Sequence, residues 1–159
     1  MQITTEEEQR YEELQLLALD FARNGETQDL AKMIEHGLSV NLSSHKADTL
    51  VMLSAYRGNY ETTKMLLEKG ANPDKLNARG QTPLHGVCFK GSLDIAKLLV
   101  EYGAAVDQKS LVFASMFGNT DILKYLQSKT QKRSNIFLHT LSYFTLSIRN
   151  LFFRKARLA

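Results

Sequence analysis

The side chains able to do chemistry are few and scattered. Cys88 is the lone cysteine, and the four histidines, His36, His45, His85 and His139, do not pair with one another or with cysteine at metal-ligand spacing. No Gly-rich phosphate loop, dinucleotide fingerprint or nucleophile elbow occurs. Catalysis is therefore not expected, nor is a bound metal. Cys88 stands at a small-residue position beside Val87, where a buried, inert thiol is expected. His36 precedes Gly37 at an expected helix C-terminus, where a cation is mildly favoured.

The elements holding these residues follow from composition and period. At 159 residues, 43% hydrophobic and 23% charged, the chain has the balance of one folded domain. No stretch reaches the ~18–20 apolar residues of a membrane span. Met1 to Glu8 carry acids where a secretory leader would need basic residues and then an apolar run, and one cysteine cannot close an internal disulfide, so a reducing, cytoplasmic location is expected. The net charge of +3 hides an asymmetry: residues 1–130 hold all 17 acids with 14 of the 20 Lys and Arg, whereas the last 29 residues hold six basic residues and no acid. The body is net −3 and the tail +6, so a nucleic-acid partner is not expected.

Gly25, Gly58 and Gly91 are 33 residues apart, and so are Gly37, Gly70 and Gly103. Between the two series lie amphipathic stretches, Thr27 to His36, Tyr60 to Lys69 and Leu93 to Tyr102, each read as a short helix ended by glycine. Gly70 and Gly103 are predicted in the left-handed conformation and so are expected to resist valine more than Gly25 or Gly91 resist alanine. In the third unit Thr82 can cap a helix whose first turn holds Pro83, while Asn77 with Gly80 suits a tight turn. Upstream, Thr5-Glu6-Glu7-Glu8 has capping-box spacing and predicts a helix from about Glu6.

A 33-residue period, Thr82-Pro83-Leu84-His85 and Gly70-Ala71-Asn72-Pro73-Asp74 together resemble the ankyrin repeat. Within that family, the runs 50–56, 79–84 and 114–118 look like the short, solitary ankyrin proteins of bacteria, some of them associated with catalase. The resemblance implies an all-α solenoid of about three and a half to four helix-turn-helix repeats with short hairpin loops. An N-terminal helical extension is assigned to 1–13, the repeat domain to 14–130 and a basic amphipathic helical tail to 131–159. Units one and two carry Leu16-Leu17-Ala18-Leu19 and Thr49-Leu50-Val51-Met52 in place of Thr-Pro-Leu-His. In the fourth unit Gly103 to Gly118 is six residues shorter than Gly70 to Gly91, so its hairpin is expected to be lost, with 107–110 passing directly into a helix over Leu111 to Phe117.

The resemblance also implies where function sits. His85 takes a hydrogen-bonding structural role, and the concave face is built from hairpin tips and from the two residues before each inner-helix glycine. Those pairs are Arg23 and Asn24, Tyr56 and Arg57, Phe89 and Lys90, Met116 and Phe117; the hairpins add His45, Lys46, Asp48, Ala78, Arg79 and Gln81. A column of Tyr56, Phe89 and Met116 beside Arg57 and Lys90 is expected, in residue types enriched at interface cores. The partner-binding set is thus Tyr56, Arg57, Arg79, Gln81, Phe89, Lys90, Met116 and Phe117, and the leading expectation is a monomeric, non-catalytic module that binds a protein, with no cofactor. An alternative is a haem-binding accessory protein supplying catalase, with Tyr56 as a phenolate ligand, Arg57 or Lys90 on a propionate, and Phe89 and Met116 against the ring. A third reading is an effector secreted into a host cell to act on host proteins or membranes.

The tail is uncharged from Asn135 to Ile148, and Phe137, Leu141, Phe144, Ile148, Leu151 and Phe152 fall on one helical stripe. It either caps the last repeat or, through its basic end at Arg154, Lys155 and Arg157, meets a membrane surface or a partner.

Overall fold

The structure, a computed structural model, describes residues 5–130. The tail assigned to 131–159, with its two alternative roles, and His139 lie outside the described residues. Seven helices carry the fold: α1 (Thr5–Asn24), α2 (Thr27–Glu35), α3 (Leu50–Arg57), α4 (Tyr60–Glu68), α5 (Pro83–Lys90), α6 (Leu93–Glu101) and α7 (Gln108–Met116). The described residues contain no β-strand, only an isolated antiparallel bridge between Ser43 and Thr49. None of their helices is long and apolar enough to cross a membrane. The chain divides into two compact units, one ending at Leu123 and one beginning at Lys124; the backbone is helical over 120–130.

In the first unit α1, α3, α5 and α7 pack side by side as an inner layer, and α2, α4 and α6 form an outer layer behind them. Helices α1, α3 and α5 come close because each carries a small residue at the shared position: Ala22, Ala55 and Cys88 are all fully buried. Leu30, Leu50, Leu66, Leu84 and Leu99 fill the space between the layers. Cys88 is therefore a packing residue, and burial, with the Asp107 charge adding, pushes its thiol pKa up to about 12.

Helix starts follow the sequence expectation except in the last unit. Thr82 caps α5 by accepting from the His85 N–H at 3.3 Å, with Pro83 in the first turn, and Thr49 caps α3 by accepting from the Met52 N–H at 3.2 Å. Helix α1 runs unbroken from Thr5 to Asn24, so the residues assigned to an extension and those of the first inner helix share one helix. Helix α7 begins at Gln108 rather than Leu111, because Asp107 caps it by accepting from the Ser110 N–H at 2.9 Å. Eight residues are missing between Gly103 and this cap, while two are added between the cap and Gly118; the net deficit of six conceals both changes.

Neighbouring repeats are tied by polar bonds at fixed positions. On the hairpin side, Ala78 N–H donates to Lys46 O at 2.9 Å, Asn77 Nδ2 to Asp48 Oδ1 at 2.8 Å, and Asn72 N–H to Asn41 Oδ1 at 2.8 Å. One repeat on, Ala105 N–H donates to the Asp74 carboxylate at 2.9 Å. On the opposite side, Asn59 Nδ2 donates to Ala22 O at 3.1 Å and Arg23 O at 2.9 Å, and Asn119 Nδ2 to Cys88 O at 2.7 Å. Ser92 holds the equivalent place at the middle junction, and its shorter side chain makes no such bond.

The left-handed conformation expected at Gly70 and Gly103 is present, but it is not peculiar to them. Gly25, Gly70, Gly91 and Gly103 are all left-handed, and it is the first and third of these that are crowded. A β-carbon on Gly25 would lie 3.0 Å from the Asn59 side chain, and one on Gly91 would lie 2.6 Å from Asn119 Oδ1, whereas Gly70 and Gly103 face open space. Ala47 occupies the hairpin position that Gly80 takes one repeat later, with a φ of 58° against 67°. An alanine in that conformation is strained by about 1–2 kcal/mol, partly offset by the entropy a glycine loses on folding. Ala47→Gly is expected to raise stability by about 0.5–1 kcal/mol, measured by urea denaturation.

Candidate partner-binding groove

An open cavity of about 530 Å³ lies along the inner helices, lined by Arg23, Met52, Leu53, Tyr56, Arg57, Gly86, Phe89, Phe113 and Phe117, and by Asp48, Asn77, Arg79, Gln81 and Thr82 from the hairpins and the start of α5. Its size is that of a ligand or side-chain pocket. The last turns of successive inner helices place an aromatic ladder beside it. The rings of Tyr56 and Phe89 stack with centroids 6.1 Å apart and an interplanar angle of 6°. Phe117 meets Phe89 edge-on at 4.4 Å, and Phe113 lies 6.3 Å from Phe117. Tyr56, Phe89 and Phe117 are 40%, 43% and 44% exposed, so the ladder faces solvent.

Below the ladder, one network fixes the hairpin end of the groove. The Thr82 N–H donates to His85 Nδ1 at 3.0 Å, which leaves Nε2 as the protonated nitrogen, donating to the Asp107 carboxylate at 2.9 and 3.0 Å. Burial works to raise the Asp107 pKa, but the hydrogen bonds from His85 and Ser110 outweigh it and hold the carboxyl below its ordinary range. Asn77 Oδ1 accepts from the Arg79 and Gln81 N–H groups, both at 3.0 Å, and so pins the hairpin that carries Arg79.

Six of the eight expected partner-binding residues line the cavity: Tyr56, Arg57, Arg79, Gln81, Phe89 and Phe117. Met116 does not; it is 63% exposed at the end of α7, and Phe117, the C-terminal cap of α7, takes its place in the aromatic column. Lys90 does not line the cavity either, and its ammonium sits 5.2 Å from the Tyr56 ring centroid. Arg23 is committed to an ion pair with Asp20. His45, Lys46 and Ala78 lie outside the lining; His36 Nδ1 donates to Lys32 O at 2.7 Å and closes α2. Sequence reasoning missed Phe113 and Gly86. A glycine inside a helix, which costs about 1 kcal/mol relative to alanine, was the available signal for the second.

Comparison with known families bears on the same segment. A sequence profile of ankyrin repeats, three copies long, matches residues 19–110 and again 51–136. The chain belongs to the ankyrin-repeat family. Two relatives share parts of it. A Pseudomonas aeruginosa protein named for its ankyrin repeats is 41% identical over 46 residues, 29% of this chain and 27% of that protein. A fem-1 homolog A-like protein of Mus musculus is 34% identical over 97 residues, 58% of this chain and 15% of that protein. The chain thus matches well under half the length of either relative. Ankyrin repeats are generally a non-enzymatic interaction fold, and the family assignment makes this chain a protein–protein interaction module.

Proposed function

We propose that this ankyrin-repeat chain is a non-catalytic module that holds a segment of a protein partner in the concave groove between its hairpins and inner helices. One observation carries this reading. The stacked, solvent-facing Tyr56–Phe89–Phe117 ladder is flanked by Arg57 and Arg79, whose guanidinium groups have no hydrogen bond or ion pair among the described residues. Exposed aromatics in contact, next to uncommitted guanidinium groups, are the composition of a binding hot spot.

The double variant Arg57→Ala/Phe89→Ala tests it. Neither side chain belongs to the buried core, so the variant should still unfold cooperatively, at a melting temperature lowered by the lost Tyr56 and Phe117 contacts, while capture of a native partner should fall tenfold or more, about 1.4 kcal/mol. Undiminished capture would move the binding surface elsewhere. The haem alternative is weakened by the placement of Met116 and Lys90 outside the cavity lining. Its test is haemin titration of the wild type and Tyr56→Phe: a saturable Soret shift that the substitution removes would revive it.

A further inference from the structure

We propose that the segment held in the groove presents an acidic side chain next to an aromatic or long aliphatic one, the carboxylate taken by Arg57 and Arg79 and the apolar side chain laid against Tyr56, Phe89 and Phe113. This rests on the groove reading above and adds to it the chemistry of the occupant.

The apolar half follows from Gly86. It lies in the interior of α5, where glycine is poorly suited to a helix, and it lines the cavity with no side chain of its own. Even a β-carbon there would come within 3.3 Å of Tyr56 Cδ2. In α3 the residue one repeat earlier is Leu53, which does line the cavity with a side chain. Glycine there lets the Tyr56 ring lie against α5, and the apolar surface offered to a partner side chain is that of Tyr56, Phe89 and Phe113 beside it. Covering those rings would remove aromatic surface from water on both sides.

The acidic half follows from charge. Three arginines and one acid line the cavity. Arg23 is paired with Asp20, and Asp48 Oδ1 already accepts from Asn77. Arg57 and Arg79 remain uncommitted, each with the planar set of donors that matches a carboxylate bidentately. They stand on fixed backbone, Arg57 at the end of α3 and Arg79 in the hairpin pinned by Asn77, so only their side chains lose order when they engage. A long polyanion fits less well. Residues 1–130 are net −3, and a nucleic acid crossing the groove would meet that charge beyond the reach of two arginines.

The test uses the full chain against arrays of octapeptides that keep a glutamate–phenylalanine pair and randomise the flanking positions, with matched arrays carrying glutamine for the acid or alanine for the aromatic. Binding should concentrate on the acid–aromatic array and fall at least tenfold on either control. Arg57→Gln/Arg79→Gln should erase the preference for acid over amide without lowering the melting temperature. Gly86→Leu should abolish binding, and Gly86→Ala should weaken it if the larger variant fails to fold. Equal binding to the acid and amide arrays would overturn the carboxylate assignment. If Gly86→Leu and Arg57→Ala/Phe89→Ala still lost that binding, the groove reading would survive. Array binding that neither variant touched would overturn both. No binding to any array, alongside capture of a native partner through the groove, would overturn the acid–aromatic chemistry alone. Tighter binding to an oligothymidylate through the same arginines would also overturn it, in favour of a single-stranded nucleic acid.

Discussion

Replacing His85 by alanine is expected to lower stability by about 3–5 kcal/mol, because the ring is 2% exposed and both its nitrogens are engaged. Loss of Nδ1 strands the Thr82 N–H at the start of α5, about 1–3 kcal/mol for a buried donor. Loss of Nε2 removes a charge-assisted bond to Asp107, about 1.5–3 kcal/mol before allowance for that carboxylate's exposure, and the contact with Phe113 goes with it. Urea denaturation should show a lower midpoint with an unchanged slope. Asp107→Asn keeps acceptors for both partners and should cost far less. The pH dependence separates the two effects. Asp107 is held below its ordinary pKa, so its contribution is present above the unfolded carboxylate value of about 4 and is lost as pH falls through the lower, folded value. That acid-side loss should be smaller in Asp107→Asn than in the wild type.

Gly91→Ala should cost about 2–3 kcal/mol, more than any other glycine-to-alanine change at an inner-helix end. The backbone there has a φ of +90°, which penalises a β-carbon by about 1–2 kcal/mol. The new atom would also sit 2.6 Å from Asn119 Oδ1 and push that side chain off the Cys88 carbonyl, a bond worth about 0.5–1.5 kcal/mol. Gly58→Ala provides the comparison: its φ of +86° is similar, but a β-carbon there meets open space. Thermal unfolding of both variants, and of Gly91→Ala in an Asn119→Ala background, should show the Gly91 excess vanish when the asparagine is removed.

The fold was legible because its determinants are local and repeat: glycines every 33 residues, Thr82 and Pro83 at a helix start, and small residues where inner helices meet. Tyr56, Arg57, Phe89 and Phe117 could be read off the same register. The fourth unit could not, since a glycine-to-glycine count cannot show that its hairpin lost eight residues while its inner helix and cap gained two. The glycine register also put Met116 in a column that Phe117 occupies. Phe113 and Gly86 escaped because residues inside a helix are read as packing, and only the assembled layer shows which of them face the cavity. The crowding of Gly25 and Gly91 was equally hidden, as it depends on asparagines from the following repeat folding back over them.

The missing bond at Ser92 gives the array a soft joint. The second and third repeats are held by polar bonds along their hairpin edge, through Lys46, Asp48 and Asn41, but not along the opposite edge, where Asn59 and Asn119 tie the neighbouring junctions. A stack hinged along one side bends most easily about that side, and Tyr56 and Phe89 stand one on each half of this joint. At that edge the joint is bridged by the Tyr56–Phe89 stack and by Lys90 over the Tyr56 ring in place of an asparagine bond, and an asparagine at position 92 is expected to stiffen it there.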